Sequence, residues 1–390
     1  MVLLHQLDFS YMFVAIILKQ MTPEKVITIT RFSVALSFCW PLPMTSSRNQ
    51  IFGYKVAQMF SIVNVNLLLL PCFYAIYLRS DDIEIVAKCI SQSICQIQSI
   101  AQTVTCFCKH DTLQRIVDEL WTCIREAERY EKEIFRIYIA RCGRFYGAYV
   151  AVAYTMTILY LWGPLFLPIM HVVYAEYPFD VNRTSMTAVV RAHQIIVSHQ
   201  CCAHLCVCVF GAFLIWFTAA RFECLGVEIQ RCTDIRMLAV CIEKQLRLRR
   251  YAQDVISCFR FMILFVIMTC SLVMTLCAIL IITKTSLLVE FMFLLVAFFF
   301  LLYLYMYAWP ADHMKDMSLS VSRSVYELKW YDETVRMQKD LLNVLVCQSP
   351  LKLSINFLVP ELSLRYYCTY VSNALSMCTA LRAILDKTVA

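Results

Sequence analysis

The sequence predicts an all-α membrane protein with seven transmembrane helices, a cytoplasmic N-terminus, an extracellular C-terminus and a cytoplasmic helical anchor region. Three observations predict it. The 390 residues are 60% hydrophobic and only 16% charged, where soluble domains run at roughly 45–50% apolar and 25% charged. Uncharged apolar runs long enough to cross a bilayer recur along the chain. Lys and Arg collect in alternate connections between those runs, as they do in cytoplasmic loops. Six glycines and ten prolines leave little room for a loop-rich or fibrous protein. A net charge of +7 can signal a nucleic-acid partner. In a membrane chain it reads as loop charge, and no nucleic acid is expected.

In chain order, residues 1–55 form a cytoplasmic N-terminal segment. Its start, "MVLLHQLDFSYMFVAIILKQ", lacks the basic region and cleavage site of a signal peptide. The apolar run there is about ten residues, too short to span, so a short helix at the membrane surface is expected. Spans one to six fall at 56–78, 89–108, 145–170, 192–220, 261–283 and 291–309, inside a membrane domain at 56–320. Residues 321–352 form a cytoplasmic anchor segment. Residues 353–390 hold the seventh span and a short outer tail. That span, 366–381 between Arg365 and Arg382, is shorter and more polar, and needs support from packing.

Orientation follows from the connections. Eight Lys and Arg run from Lys109 to Arg144, eight from Arg221 to Arg260 and six from Lys315 to Lys352. The alternate connections are poor, with Arg79 beside Asp81 and Asp82, then Arg183, then Lys284. The sequon Asn182-Arg183-Thr184 falls in a connection this topology places outside, where Asn182 is a glycosylation acceptor. Rhodopsin-like receptors have the opposite orientation, and their Asp-Arg-Tyr and Asn-Pro-x-x-Tyr motifs are missing here. The connection after span two is patterned as a helix, with Leu113, Ile116, Val117, Leu120 and Ile124 at helical spacing. Long helices are therefore expected to project into the cytoplasm.

Most of the 21 cysteines lie in apolar runs, where a thiol is a small packing group. No Gly-rich phosphate loop, nucleophile elbow or His-Glu-x-x-His pair occurs, so no enzymatic activity and no cofactor are expected. His204 and Cys208 stand one turn apart, but no carboxylate joins them, and no metal is expected. A ligand pocket is expected from the outer halves of four spans. Span two contributes Gln92, Gln96 and Ser99, and span three Tyr154, Thr157, Ile158 and Leu161. Span four contributes Gln194 and Ser198, and span six Phe291, Leu294, Leu295 and Phe298. Aromatic and aliphatic walls with a few hydroxyl or amide groups suit a small apolar molecule.

The seventh span, "YYCTYVSNALSMCTALRAIL", places Thr369, Ser372, Asn373, Ser376 and Thr379 in one stripe. Such a stripe at membrane depth faces protein or water. Close helix packing and an aqueous path shared between subunits both stay open at this point. Ala380 and Ile384 continue the stripe outward as apolar residues that could gate by dewetting. Without an acidic ring, cation selectivity would be loose.

The stretch "YLYMYAWPADHMKDMSLSVSRSVYELKWYDE" from Tyr303 resembles the end of span six and the following loop of the insect odorant receptor family, with its Tyr-x-x-x-Trp-Tyr at Tyr326, Trp330 and Tyr331. The segment from Cys347 to Leu385 resembles the family's C-terminal signature, and "AEYPFDVNRT" is similar to its hymenopteran branch. The resemblance implies a ligand-gated, non-selective cation channel. It implies a heterotetramer with a shared co-receptor, in the plasma membrane of olfactory sensory neurons, opened by a small apolar odorant. It makes Tyr326, Trp330 and Tyr331 subunit-interface residues, and Ser372, Asn373, Ser376, Ala380 and Ile384 pore residues. Where the family's gate has Val or Leu, this chain has Ala380. The co-receptor's insertion between spans four and five is absent, so the chain resembles a tuning subunit. The competing readings are a metabotropic receptor and a transporter. A transporter should show paired broken helices, which the sequence lacks.

Overall fold

At the axis of the molecule runs a helix buried on nearly every side. A computed structural model describes residues 22–166, 173–179, 181, 184–232, 235–282, 287–327, 331, 334–335, 338–339, 350–355 and 359–389. Its helices in chain order are α1 (Pro23–Ser33), α2 (Arg48–Leu78), α3 (Ile83–Cys108), α4 (His110–Glu126), α5 (Arg129–Phe166), α6 (Thr184–Leu205), α7 (Val207–Gln230), α8 (Ile235–Ile282), α9 (Leu287–Tyr326) and α10 (Leu364–Val389). The axial helix is α7. It buries aromatic, aliphatic and small residues around its circumference, and α5, α8 and α9 surround it. The N-terminal run 1–20, expected as a surface helix, lies outside the described residues.

Helix ends follow local chemistry. Pro23 opens α1 at its first turn, where a missing N–H costs nothing. Ser47 caps α2 in a reciprocal box with Gln50. Asp82 caps α3 by accepting from the amides of Glu84 and Ile85. On α4 the residues expected to face inward, Leu113, Ile116, Val117, Leu120 and Ile124, are all buried. The described residues of each expected span are helical, the fourth being divided at Cys206 between α6 and α7. Arg48–Leu78, Ser185–Gln230, Arg236–Ile282 and Val289–Tyr326 are long and apolar enough to cross a membrane on length and composition. The other expected spans lie on α3, α5 and α10, which at 26, 38 and 26 residues exceed the roughly 20 a bilayer requires but are more polar. The chain is a helical membrane protein.

Packing around α7 depends on close approach. A Cβ on Gly211 would stand 2.7 Å from Phe259 of α8 and 2.8 Å from Tyr307 of α9. Trp216 donates to the Tyr146 hydroxyl at 3.1 Å, and that hydroxyl donates to the Met306 carbonyl at 3.0 Å, tying α7, α5 and α9. Toward the basic end, Arg221 of α7 pairs with Glu119 of α4 at 2.7 Å and stands over the Tyr251 ring of α8. The cysteines among the described residues are free thiols, mostly buried, as the packing reading expects.

Before α10 the chain folds back on α9. Leu362 donates to the Leu353 carbonyl at 2.7 Å, and Glu361 meets both Lys315 and Lys352. Their hydrogen bonds, Lys315 first, hold the Glu361 carboxyl below its ordinary range.

Two outcomes follow. Gly211→Ala should lower the melting temperature of the solubilised protein, because overpacking of about 1–3 kcal/mol exceeds the helix-propensity gain of about 1; an unchanged or higher value would show that the rings yield. Glu361 has a depressed folded pKa, so its contribution is present above the free-glutamate value and is lost as pH falls through the folded one. Glu361→Gln should therefore destabilise by at most about 1 kcal/mol at neutral pH, and the gap from the parent should close in acid. A gap that persists in acid would refute the ion-pair account.

Candidate ligand cavity and pore helix

A cavity of about 580 Å³ opens between α3, α5, α6 and α9, with Leu68 of α2 and Val173 at its edge. Its lining comes from Lys88–Gln102, Tyr149–Leu159 and Met292–Tyr303, the parts of α3, α5 and α9 remote from the basic connections. The α3 wall repeats at helical spacing through Ser91, Gln92, Cys95, Gln96, Ser99 and Gln102. Phe293, Val296, Phe299 and Phe300 of α9 face it, with Met156 of α5 and Val197 of α6 between. The surface is mostly carbon with isolated polar groups, the composition of a site for a small apolar molecule.

One end of the cavity is a connected polar cluster. His204 Nδ1 lies 3.1 Å from Gln102 Oε1 and 3.9 Å from the Cys39 thiol. Its Nε2 faces the Thr103 hydroxyl at 3.3 Å. The other end of the Gln102 amide donates to the Tyr303 hydroxyl at 2.6 Å. Beside it, Thr269 of α8 donates to Gln98 Oε1 at 3.2 Å. The bonds of Gln98 and Gln102 cross between helices, so the cluster fixes helix spacing at that end of the cavity.

The structure brings together Gln92, Gln96, Thr157, Ser198 and Leu295, which all line the cavity, as does Ser99. It sets the others apart. Tyr154 donates its hydroxyl to the Ser33 carbonyl at the end of α1, 2.7 Å away. Ile158 is 48% exposed and Phe291 63% exposed on the outer surface. Gln194 reaches Tyr177 in the connection after α5 at 3.4 Å. Leu161 is half-buried outside the lining, and Leu294 and Phe298 are exposed outside it. The lining face of α5 passes through Tyr149, Ala153, Met156 and Thr157. It is turned by about one residue, near 100°, from the expected one. Sequence reasoning missed Gln102, His204 and Tyr303. Continuing the α3 stripe one step past Ser99 reaches Gln102. His204, weighed as a metal ligand beside Cys208, instead faces Gln102 and Thr103, while the Cys208 thiol donates to the Leu205 carbonyl.

The last helix packs by one side only. Tyr370 meets Ser271 of α8 at 2.8 Å, Tyr367 stacks edge-on against Tyr305 of α9 at 5.5 Å, and Ala374 is buried. Thr369, Ser372, Asn373, Ser376, Thr379 and Ala380 are exposed on the side turned away from the bundle. Three of those hydroxyls are satisfied by their own helix. Thr369 donates to Arg365, Ser376 to Ser372 and Thr379 to Ser376, at 2.8–3.0 Å. Ile384 belongs to the same helix. Tyr326 and Tyr331 are 61% and 63% exposed. Trp330 and Asn182 lie outside the described residues.

A comparison with curated proteins finds no match. Among solved structures, the chain is similar to the insect olfactory receptor OR5 of Machilis hrabei (17% identity, TM-score 0.76), over 92% of this chain and 97% of that one. It is also similar to the same receptor in complex with eugenol (16% identity, TM-score 0.74), over 93% and 98%. At that identity the likeness is one of fold. The model of the family described as 7tm Odorant receptor matches residues 87–375, which contain the whole α3 and α9 lining of the cavity and the first half of α10. The chain therefore belongs to the 7tm odorant receptor family, and is a membrane receptor rather than an enzyme.

Proposed function

We propose that the chain is the odorant-tuning subunit of a ligand-gated, non-selective cation channel. It assembles as a heterotetramer with the family's shared co-receptor in the plasma membrane of olfactory sensory neurons. The observation that carries this reading is the exposed polar face of α10. A row of hydroxyl and amide groups at membrane depth avoids lipid, and here it is the face that the protomer's own bundle leaves open. Ser372, Asn373, Ser376, Ala380 and Ile384 then border a path completed by other subunits. Because the hydroxyls of Thr369, Ser376 and Thr379 bond within the helix, they make a weakly polar surface, consistent with loose selectivity among cations.

The odorant occupies the cavity between α3, α5, α6 and α9, against Gln92, Gln96, Thr157, Ser198 and Leu295. The eugenol complex of the Machilis hrabei receptor supports a small ligand on this fold. The ligand acts by contacting one state better than the other. Helix α9 offers the path, since Phe299 and Tyr303 line the cavity while Tyr305 touches Tyr367 of α10. Tyr326, Trp330 and Tyr331 join subunits on the cytoplasmic side, where mixed aromatic and charged surfaces suit an interface. Asn182 is the outer glycosylation acceptor.

Whole-cell recording from cells expressing this chain with and without the co-receptor tests the reading. A rapid cation current that needs both chains and ignores G-protein blockade is expected; a slow, G-protein-dependent response would refute it. Ser198→Leu, which adds bulk to the cavity wall, should raise the half-maximal odorant concentration roughly tenfold, at about 1–3 kcal/mol for overpacking. Unchanged sensitivity would remove the ligand from this cavity. Ser376→Val with Ala380→Val should change relative ion permeability and leave odorant sensitivity in place; unaltered permeation would take α10 off the conduction path.

A further inference from the structure

A second cavity, of about 230 Å³, lies between α1, α5 and α7. It shares no lining residue with the first, and the two occupy different faces of α5. Tyr149, Ala153 and Thr157 look into one, while Tyr146, Gly147 and Ala151 look into the other. The second cavity is toward the basic end of the bundle, since its α5 wall begins at Phe135 and its α7 wall ends at Ala220.

We propose that this cavity holds an acyl chain of an anionic phospholipid from the leaflet on the basic side of the membrane. The chemistry of the wall excludes a polar guest. Its hydroxyl and indole groups are already committed. Tyr138 donates to Glu223, Tyr146 to the Met306 carbonyl and Trp216 to the Tyr146 hydroxyl; Thr30 and Ser33 donate to carbonyls of their own helix. A water molecule there would find too few partners to be held. Everything else on the wall is carbon or sulfur, and a hydrocarbon chain loses nothing by entering.

The cavity is also open on the outside of the bundle. Gly147, Ala151 and Ile29 are lining residues and are exposed. A Cβ built on Gly147 meets nothing within 4 Å, so the missing side chain forms part of the opening. Basic residues flank that opening in sequence and are exposed, with Lys25 and Arg31 on α1 and Arg141 and Arg144 on α5. Each favours an anionic headgroup near the surface by about fivefold, which selects a charged phospholipid over a free hydrocarbon. The proposal stands whether or not the first cavity binds an odorant.

The test uses the full chain in nanodiscs of phosphatidylcholine containing a trace of phosphatidylserine with a diazirine midway along one acyl chain. Photolysis and peptide mapping should place label on the α5 peptide spanning Gly147 and on α1. Gly147→Leu, or Ala151→Phe should the first fail to purify monodisperse, should cut that label roughly tenfold, the loss of about two buried methylenes. Label elsewhere on the lipid-facing surface should be unchanged. Arg141→Gln and Arg144→Gln, which leave the cavity itself intact, should each reduce the preference for phosphatidylserine over a phosphatidylcholine probe by about fivefold. Equal labelling of parent and Gly147→Leu would overturn the proposal. So would labelling that hexadecane displaces and headgroup charge does not affect, since the cavity would then be a site for free hydrocarbon.

Discussion

A helix that is apolar around its whole circumference has to be enclosed, and enclosing Val207–Gln230 organises this molecule. In lipid the hydrophobic effect does not draw one helix to another, because the surroundings are as apolar as the interface. Shape and a few polar bonds must do it. Gly211, Ala212, Ala219, Ala220 and Gly226 let neighbouring helices come close, and Phe210, Trp216 and Phe222 fill the space between. Hydrogen bonds from Trp216 to Tyr146 and on to Met306 then fix the spacing. Both cavities are what remains where α5 and its neighbours, held to this axis, part from one another.

The same physics decides what could be read in the sequence. On α4 the contrast between water and core is present, so the buried set from Leu113 to Ile124 was legible from spacing alone. The caps at Ser47 and Asp82 are likewise local. Span three was different. Tyr154, Ile158 and Leu161 are no less apolar than Tyr149, Ala153 and Met156, and on a lipid-facing helix neither set is marked as inward. The expected face and the face on the cavity differ by about one residue for that reason. Tyr154 is the clearest case, an aromatic with a hydroxyl that suits a pocket but instead anchors the end of α1 at Ser33. Where polarity did mark a face, the residues expected to share it do so in the structure, the α3 glutamines on the cavity and the α10 hydroxyls on the exposed side. The partners of the α3 face, His204 and Tyr303 from distant segments, could come only from the fold.

The two stripes differ in a way that bears on function. On α3 the glutamines reach across to other helices: Gln102 holds His204 and Tyr303, and Gln98 holds Thr269. Along the α10 stripe the hydroxyls of Thr369, Ser376 and Thr379 turn back onto the helix that carries them, while Tyr370 on the packed side reaches Ser271 of α8. A bond across a gap costs energy when the helices separate, whereas a bond within one helix is indifferent to its neighbours. The α3 side of the bundle therefore resists displacement through several such bonds, whereas moving α10 off α8 must break the Tyr370 contacts with Ser271 and Ile267.

Helix length has a mechanical consequence. At about 1.5 Å per residue, the 40 residues of α9 form a rod of about 60 Å, with the cavity near one end and the Lys315–Glu361 clasp toward the other. Between the two lies Pro310, inside the helix, which cannot donate to the Met306 carbonyl one turn back; that carbonyl accepts from Tyr146 instead. Lys315 on α9 and Glu361 just before α10 join the two helices by an ion pair, so under the proposed function a displacement of Phe299 would reach the root of α10 through α9 and this clasp.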